Sequence, residues 1–232
     1  MDSFGEVIIR NIVMSKKEVA VIEEEVPNEM VRPLVGGLAP TARDIDIPLL
    51  NVVQGTSEID APVGSLVIDK RHILTEVDVS VRCIPMAHVK GMREDKPFGH
   101  PDPSRAVYTD AEVEKLKKES EFSLIEFANV TVIFPQPEDA KGSSAFPFKI
   151  GDSQYAIGTI MVKKLAYRNT YKRLITHEST RQDEPIYSVF WDFTPIKISS
   201  GITYYTPSLS LSDTEDKVPQ DVIDWVDRFR TS

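Results

Sequence analysis

The chain has 232 residues, of which 41% are hydrophobic and 27% charged, and its formal net charge is −9. This composition is that of a globular protein with a core of its own, and the acidic balance excludes a histone-like binder held to nucleic acid by its total charge. The single cysteine, Cys83, excludes a disulfide within the chain. The start MDSFGEVIIR has neither the basic residues nor the apolar run of a signal peptide, and no stretch reaches the roughly 20 apolar residues that span a bilayer. We therefore expect a cytoplasmic protein without membrane contact.

The first 45 residues combine strand signals with an irregular arm. Val7–Val13 and Val19–Val26 are rich in β-branched residues, which predicts two short strands. The segment that follows carries three prolines and a Gly-Gly pair, which predicts an arm or loop. We accordingly divide the chain into residues 1–45, a β core over 46–217 and a terminal helix over 218–232, and we expect them to form one compact domain.

Eight further segments have the apolar, β-branched or alternating patterns of strands. They are Pro48–Val53, Gly64–Asp69, Glu76–Ile84, Ile125–Phe134, Phe146–Ile150, Gln154–Met161, Ile186–Phe193 and Ile202–Thr206. Alternation is clearest in Glu76–Ile84, where valines and polar residues follow one another. Gly151 and Asp152 mark the turn of a predicted hairpin.

Helix signals are few and lie outside these strands. Thr109 and Glu112 match a capping box, which predicts a short surface helix, and an amphipathic helix is expected over Pro219–Arg230. Long loops are expected at 91–108 and 135–144. Because helices do not alternate with strands, we predict a mainly β fold: a mostly antiparallel β barrel or sandwich with peripheral helices and a C-terminal amphipathic helix.

The segment Tyr155–Arg181 is basic and aromatic within this acidic chain, with six Lys or Arg residues against one acid, Glu178. Cations that follow a phosphate backbone, interleaved with rings that stack on bases, are typical of single-strand binding. As a helix over Leu165–Ile175 the segment places Tyr167 and Tyr171 one turn apart, and as a loop it projects the same groups from a strand end. Alternatively, the tyrosines pack in the core and the cations are simply solvated.

A second aromatic group lies in Ile186–Phe193 and Ile202–Thr206. If Ile186–Phe193 is a strand, Tyr187 and Trp191 share one face, so one set of rings can form the core while the other stands on the surface. Trp191 is the candidate for an exposed stacking platform. The alternative is cross-strand aromatic packing.

Other chemistry has little support in the sequence. The chain contains no P-loop, no dinucleotide-binding glycine motif and no nucleophile elbow. The spacing of Cys83, His88 and His100 matches no structural zinc site. Acids at Glu23–Glu25, Asp44 and Asp46 could hold magnesium as nuclease carboxylates do, but such runs are usually solvated. We expect no catalytic residue, no metal and no cofactor.

The segment Ile47–Gly64 has the pattern P-x-L-x-x-x-Q-x-x-S followed by a glycine, and FANVTVIFPQP, KIGDSQYAIGTIMVKKLAYRNTYKRL and PIYSVFWDFTPIKISSGITYYTP complete the same layout. Over 47–207 the chain thereby resembles a class of tailed-phage proteins, some of which are similar to viral single-stranded DNA-binding proteins with an oligonucleotide-binding (OB) barrel. The resemblance therefore implies an antiparallel β barrel of the OB type. The resemblance implies a groove of strand-face aromatics and basic loops. The acidic tail through which phage single-strand binders commonly recruit replication proteins is replaced here by a helix and RFRTS.

We therefore predict a sequence-tolerant single-stranded DNA-binding protein of phage type, acting in DNA replication, recombination or repair in the host cytoplasm. RNA binding, homo-oligomers and contacts with replication proteins stay open. Alternatives are a virion or assembly protein that uses the two long loops and the terminal helix stripe as interfaces, and a metal-dependent nuclease. The predicted nucleic-acid-binding residues are Lys163, Lys164, Tyr167, Arg168, Tyr171, Lys172, Arg173 and Trp191.

Overall fold

The computed structural model describes residues 46–97 and 99–231. The predicted strands Val7–Val13 and Val19–Val26, the arm after them and the carboxylates Glu23–Glu25 and Asp44 lie outside the described residues.

Strands dominate the described part, which confirms the mainly β class. They are β1 Leu50–Val52, β2 Leu66–Ile68, β3 His72–Thr75, β4 Val81–Glu94, β5 Ala106–Val107, β6 Leu124–Pro135, β7 Phe148–Ile150, β8 Ser153–Lys163, β9 Trp191–Ser200 and β10 Ile202–Leu211. The helices are α1 Asp110–Glu119, α2 Lys164–Asn169, α3 Tyr171–Thr180 and α4 Gln220–Thr231, with 3-10 turns at Glu138–Ala140 and Ile186–Ser188. Among the described residues, no helix combines the length and apolarity needed to cross a membrane.

The strands form two sheets. The large sheet has the order β10-β9-β4-β6-β8-β7, with β5 paired to β4, and the small sheet has the order β1-β2-β3. All strand pairs are antiparallel. Over the described strands, no continuous hydrogen-bonded ladder closes the large sheet into a barrel.

The segment through β1 contacts two strands of the large sheet, β8 and β10. On the β8 side, the Thr159 N–H donates to the Pro48 carbonyl at 2.9 Å, next to a parallel bridge between Leu49 and Thr159. On the β10 side, the Gln54 amide takes the place of a strand. Its Nε2 donates to the Tyr205 carbonyl at 2.8 Å, and its Oε1 accepts from the Tyr205 N–H at 3.0 Å.

The residues of the pattern P-x-L-x-x-x-Q-x-x-S and the glycine after it have a structural role. Leu50 packs directly over Gly158, where an added Cβ would lie 2.6 Å from the leucine Cγ. Ser57 Oγ accepts from the Gln54 N–H at 2.9 Å and so fixes the glutamine. Gly64, at φ +94°, lets the Tyr205 ring approach closely. These positions thus help to hold β1 between β8 and β10.

The strand predicted at Glu76–Ile84 is wrong over its first half. Residues 76–80 form a turn, and β4 begins at Val81. The turn is closed by the Val79 N–H on the Glu76 carbonyl and by Thr75 Oγ1 on the Val79 carbonyl. Asp78 has φ 57°, a left-handed conformation that no strand contains. The alternation of valines was therefore misleading, and the strand His72–Thr75 was missed.

The strand predicted at Ile186–Phe193 is also displaced. Ile186–Ser188 is a 3-10 turn, and β9 starts at Trp191. Ser188 Oγ donates to the Pro185 carbonyl and Trp191 Nε1 donates to the Ile186 carbonyl, so side chains hold this turn. Beyond it, β10 extends to Leu211 because Pro207 lies on a sheet edge, where the missing N–H breaks no ladder.

Other local predictions are confirmed. Thr109 and Glu112 form a reciprocal capping box at the start of α1. The hairpin of β7 and β8 turns at Gly151, which has φ 59°. In α4, Val222, Trp225 and Val226 are buried within this chain. The α4 stripe is therefore not a free oligomer interface, which corrects that part of the assembly-protein alternative.

Residues 91–108 are not one long loop. Their first four residues complete β4, and Ala106–Val107 forms β5. Glu94 is the last residue of β4, and its carboxylate is buried. It accepts from Arg105 Nε and Nη2 at 3.0 and 2.9 Å and from Ser120 Oγ at 2.7 Å. Hydrogen bonds from the Arg105 backbone and side chain lower the pKa of Glu94 from 4.5 to about 2. An ion pair between two chain segments therefore replaces the expected open loop.

Candidate nucleic-acid interface

From Lys164 onwards the basic segment is helical, as one of the two alternatives predicted. Its tyrosines, however, face inward. Tyr167 is 5% exposed and Tyr171 is half-buried, and their ring centroids lie 4.9 Å apart. The Tyr171 ring meets the edge of His88 on β4 at 5.3 Å. Burial raises the pKa of both phenols. The rings pack α2 and α3 onto the large sheet, which is the core alternative left open by the sequence.

Trp191 is a core residue, so the expectation of an exposed stacking platform there is wrong. It is 3% exposed, its Nε1 donates to the Ile186 carbonyl at 3.0 Å, and its ring meets His177 at 5.3 Å. A buried indole with a satisfied N–H leaves no ring face for a base.

The predicted cations do not share one surface. Arg173 donates to the Leu209 carbonyl at 2.6 Å and so ties α3 to β10. Lys172 lies 5.9 Å from the centroid of the Tyr167 ring, and Arg168 is exposed on α2. Of these cations, Lys163 and Lys164, at the junction of β8 and α2, lie beside the exposed sheet face and the cleft. The eight predicted residues thus divide between two sides of the sheet.

The two faces of the sheet differ sharply in the region of β4, β6 and β8. On one face, Ala128, Val130 and Val162 are fully buried against α2 and α3. Successive residues of a strand point to opposite faces, so their neighbours lie on the other side. There, Val89, Asn129 and Met161 stand side by side in register. We call these two surfaces the covered face and the uncovered face.

The uncovered face carries exposed apolar side chains. Val89 is 53% exposed and Met161 is 46% exposed, and Leu49, which bridges to Thr159, is 59% exposed. The row of Ala87, Thr131 and Thr159 extends the same face. These apolar side chains make the face a candidate binding surface.

Tyr108 adds an aromatic ring to the uncovered face. The ring is 51% exposed, its centroid is 5.6 Å from that of Phe127, and its hydroxyl accepts from Asn129 Nδ2 at 3.2 Å. Gly91 permits this approach, since a Cβ there would lie 2.7 Å from the Val107 carbonyl oxygen. Sequence reasoning missed Tyr108 because it lay at the end of a predicted loop. Its place directly before the capping box was the available signal, since the helix fixes its position.

A cluster of cations lies at one end of this face. The cation cluster consists of Arg93, Lys163 and Lys164. Arg93 Nη1 lies 2.8 Å from Met161 Sδ, while its Nε is buried without a hydrogen-bond partner among the described residues. Desolvation, then the charges of Arg93 and Lys164, lower the pKa of Lys163.

Acidic compensation of the cation cluster is sparse. Asp95 pairs with Lys164 at 2.9 Å, and the described residues provide no salt bridge to Arg93 or Lys163. Three like charges with one carboxylate form a site of positive potential that an anion would stabilise. The net acidity of the chain makes this concentration of positive charge more distinctive.

A cleft of about 430 Å³ opens beside the cation cluster. It lies between β8, β1 and β10 and is closed by the start of α2. Its lining includes Asn51, Met161, Lys163, Lys164, Tyr204 and Tyr205. Both tyrosines are partly exposed. The cleft therefore combines cations with aromatic rings at a site where the predicted basic stretch supplies only its first two lysines.

No trio of His, Cys, Asp or Glu in the described part of the chain is arranged to hold a metal ion. Comparison with models of protein families, with curated proteins and with solved structures finds no match.

Proposed function

We propose that this protein binds single-stranded nucleic acid along the uncovered face, with phosphates held by the cation cluster. The observation that carries the proposal is the cluster of Arg93, Lys163 and Lys164, with Asp95 as its one paired carboxylate among the described residues, at the end of a sheet face that exposes Tyr108, Val89 and Met161. Lys and Arg side chains neutralise phosphates, and an exposed ring stacks on any base. The chemistry is that of a sequence-tolerant binder, without catalysis.

Single strands fit this surface better than duplex. In a duplex the faces of the bases are stacked on one another, so exposed apolar side chains and a ring find only the charged backbone. An unwound strand offers both its phosphates and its base faces. The acidic remainder of the chain also repels duplex that approaches elsewhere.

We further propose that the two sheets form an OB-like barrel. The hydrogen bonds of Pro48 to Thr159 and of Gln54 to Tyr205 support this, since they connect β8 and β10, which are not neighbours in the large sheet, through the segment of β1. OB barrels bind oligonucleotides on a strand face. The resemblance over 47–207 favours DNA of phage replication, recombination or repair as the substrate.

A fluorescence anisotropy titration with labelled oligo-dT at several salt concentrations tests the proposal. We expect binding at low salt that weakens steeply as salt rises. Lys163→Ala should reduce the slope of log K against log salt by about 0.7, the value for one phosphate contact on a single strand.

Lys172→Ala is the matched control, because it removes the same charge from an exposed residue of α3 outside the cation cluster. Its salt slope should equal that of the unmodified protein. Absence of binding at micromolar protein and low salt would contradict the proposed function. Equal losses in the two variants would contradict the proposed location.

A further inference from the structure

We infer that the cleft between β8 and β10 is a subsite for one nucleotide of the bound strand, with its phosphate on Lys163 and Lys164 and its base against Tyr204. The inference rests on the proposed function and assigns to it a place where one base leaves the uncovered face.

The cleft exists because β1 departs from β8. The bridge between Leu49 and Thr159 is isolated, and the described strands contain no continuation of it to Met161. After Leu50 the chain turns to pair with β2 and then reaches β10 through Gln54. The diverging segments leave a gap that is lined by Met161 and Lys163 on β8 and by Tyr204 and Tyr205 on β10.

The walls of the gap contain polar backbone as well as rings. The Thr159 N–H points away from β6, towards Pro48. Residues two positions apart on a strand direct their backbone groups to the same side, so Met161 directs its N–H and C=O into the gap. A donor and an acceptor side by side can pair with the edge of any base.

The cleft continues the uncovered face. Met161 and Lys163 lie on that face, and both also line the cleft. A strand whose phosphates follow Arg93 and Lys163 therefore passes the mouth of the cleft without leaving the cation cluster. The chain turns from β8 into α2 beside the mouth of the cleft, at Lys164, which has φ 53°.

Size and charge select a nucleotide as the occupant. A volume of about 430 Å³ lies at the lower end of the range of small-molecule sites, so it admits one nucleotide and not several. The two lysines lie where β8 ends, and the tyrosines lie on β10, so cations and rings enter the cleft from different strands. The phosphate of one nucleotide suits the lysines, and its base suits the tyrosines.

Tyr204 is the residue to test, since the Tyr205 ring packs on Gly64 and its backbone holds Gln54. Tyr204→Ala should weaken oligo-dT binding by about 5- to 150-fold, the loss expected for one stacked base. Tyr204→Phe, which keeps the ring, should bind like the unmodified protein. Thermal unfolding of both variants reports whether the fold is intact.

A second measurement needs no variant. Oligo-dT that carries 5-iodouracil is irradiated with the unmodified protein, and the crosslinked residue is located by mass spectrometry. We expect crosslinks at Tyr204. Crosslinks at Tyr108 alone, or undiminished binding by a folded Tyr204→Ala variant, would overturn the nucleotide subsite and leave the proposed function intact. No binding of oligo-dT by the unmodified protein would overturn both.

Discussion

The covered and uncovered faces of the large sheet carry similar residue types that differ in burial and in pairing. On the covered face, Tyr167 and Trp191 are almost inaccessible to solvent, while Tyr108 on the uncovered face keeps half its surface exposed. The cations divide in the same way, because Arg173 ties α3 to β10 whereas Arg93 lacks a salt bridge among the described residues. Aromatic and basic composition therefore does not identify a nucleic-acid site. What distinguishes a site is whether the folded chain has already satisfied those groups.

The largest expected effect concerns Trp191. If it is a core residue, Trp191→Ala should lower the free energy of unfolding by about 3–5 kcal/mol through lost burial and the cavity left behind. Urea denaturation measures this value. A stable Trp191→Ala variant with weakened oligo-dT binding would reverse the assignment of the two faces.

A pair of valines tests the faces with the same substitution. Val130 is fully buried on β6, and Val89 is 53% exposed on β4. Val130→Ala should cost about 2 kcal/mol of stability, since it removes two buried carbon groups and leaves a small cavity. Val89→Ala should change stability by no more than about 0.5 kcal/mol. Similar losses in the two urea titrations would mean that the uncovered face is covered in solution.

Tyr108 should show the reverse of the behaviour expected for Trp191. Tyr108→Ala should leave most of the stability intact and weaken oligo-dT binding by about 1–3 kcal/mol, the contribution of one stacked base. Anisotropy titration gives the affinity, and Tyr108→Phe separates the ring from its hydroxyl contact with Asn129. Unchanged affinity for Tyr108→Ala would remove the uncovered face from the binding path.

The last prediction concerns the pH dependence of stability and the segment that leads to Tyr108. Glu94 has its pKa lowered from 4.5 to about 2, so its contribution to stability is complete above pH 4.5 and is lost as the pH falls towards 2. Glu94→Gln should therefore flatten the pH dependence of stability in that range. Urea titrations from about pH 2 to about pH 6, a range that contains both pKa values, measure this pH dependence. Identical pH profiles for the variant and the unmodified protein would contradict the role of Glu94.

Signals that act locally were predicted from the sequence. The Thr109 capping box, the turn at Gly151 and the apolar stripe of α4 each depend on residues within one element, and all three are confirmed. The strand predicted at Glu76–Ile84 is partly wrong. The Asp78 N–H in the turn donates to the carbonyl of Pro195, which lies on β9, far along the chain. Alternation of valines could not reveal that contact.

The candidate site was only partly predictable for the same reason. Lys163 and Lys164 were named from composition, but Arg93 joins them through the antiparallel register of β4, β6 and β8. The face on which each ring lies depends on where β8 ends and α2 turns back. That point is set by tertiary packing, so the inward orientation of Tyr167 could not be decided from spacing.

The side-chain amide of Gln54 has a consequence for the solubility of the protein. β10 is an outer strand of the large sheet, and outer strands with free backbone groups recruit strands from other molecules. Gln54 occupies both backbone groups of Tyr205, Pro207 has no N–H to offer, and Arg173 occupies the Leu209 carbonyl. Three alternate positions of this edge are thereby closed to a foreign strand. Such protection lowers the tendency of this edge to associate with a second copy of the chain.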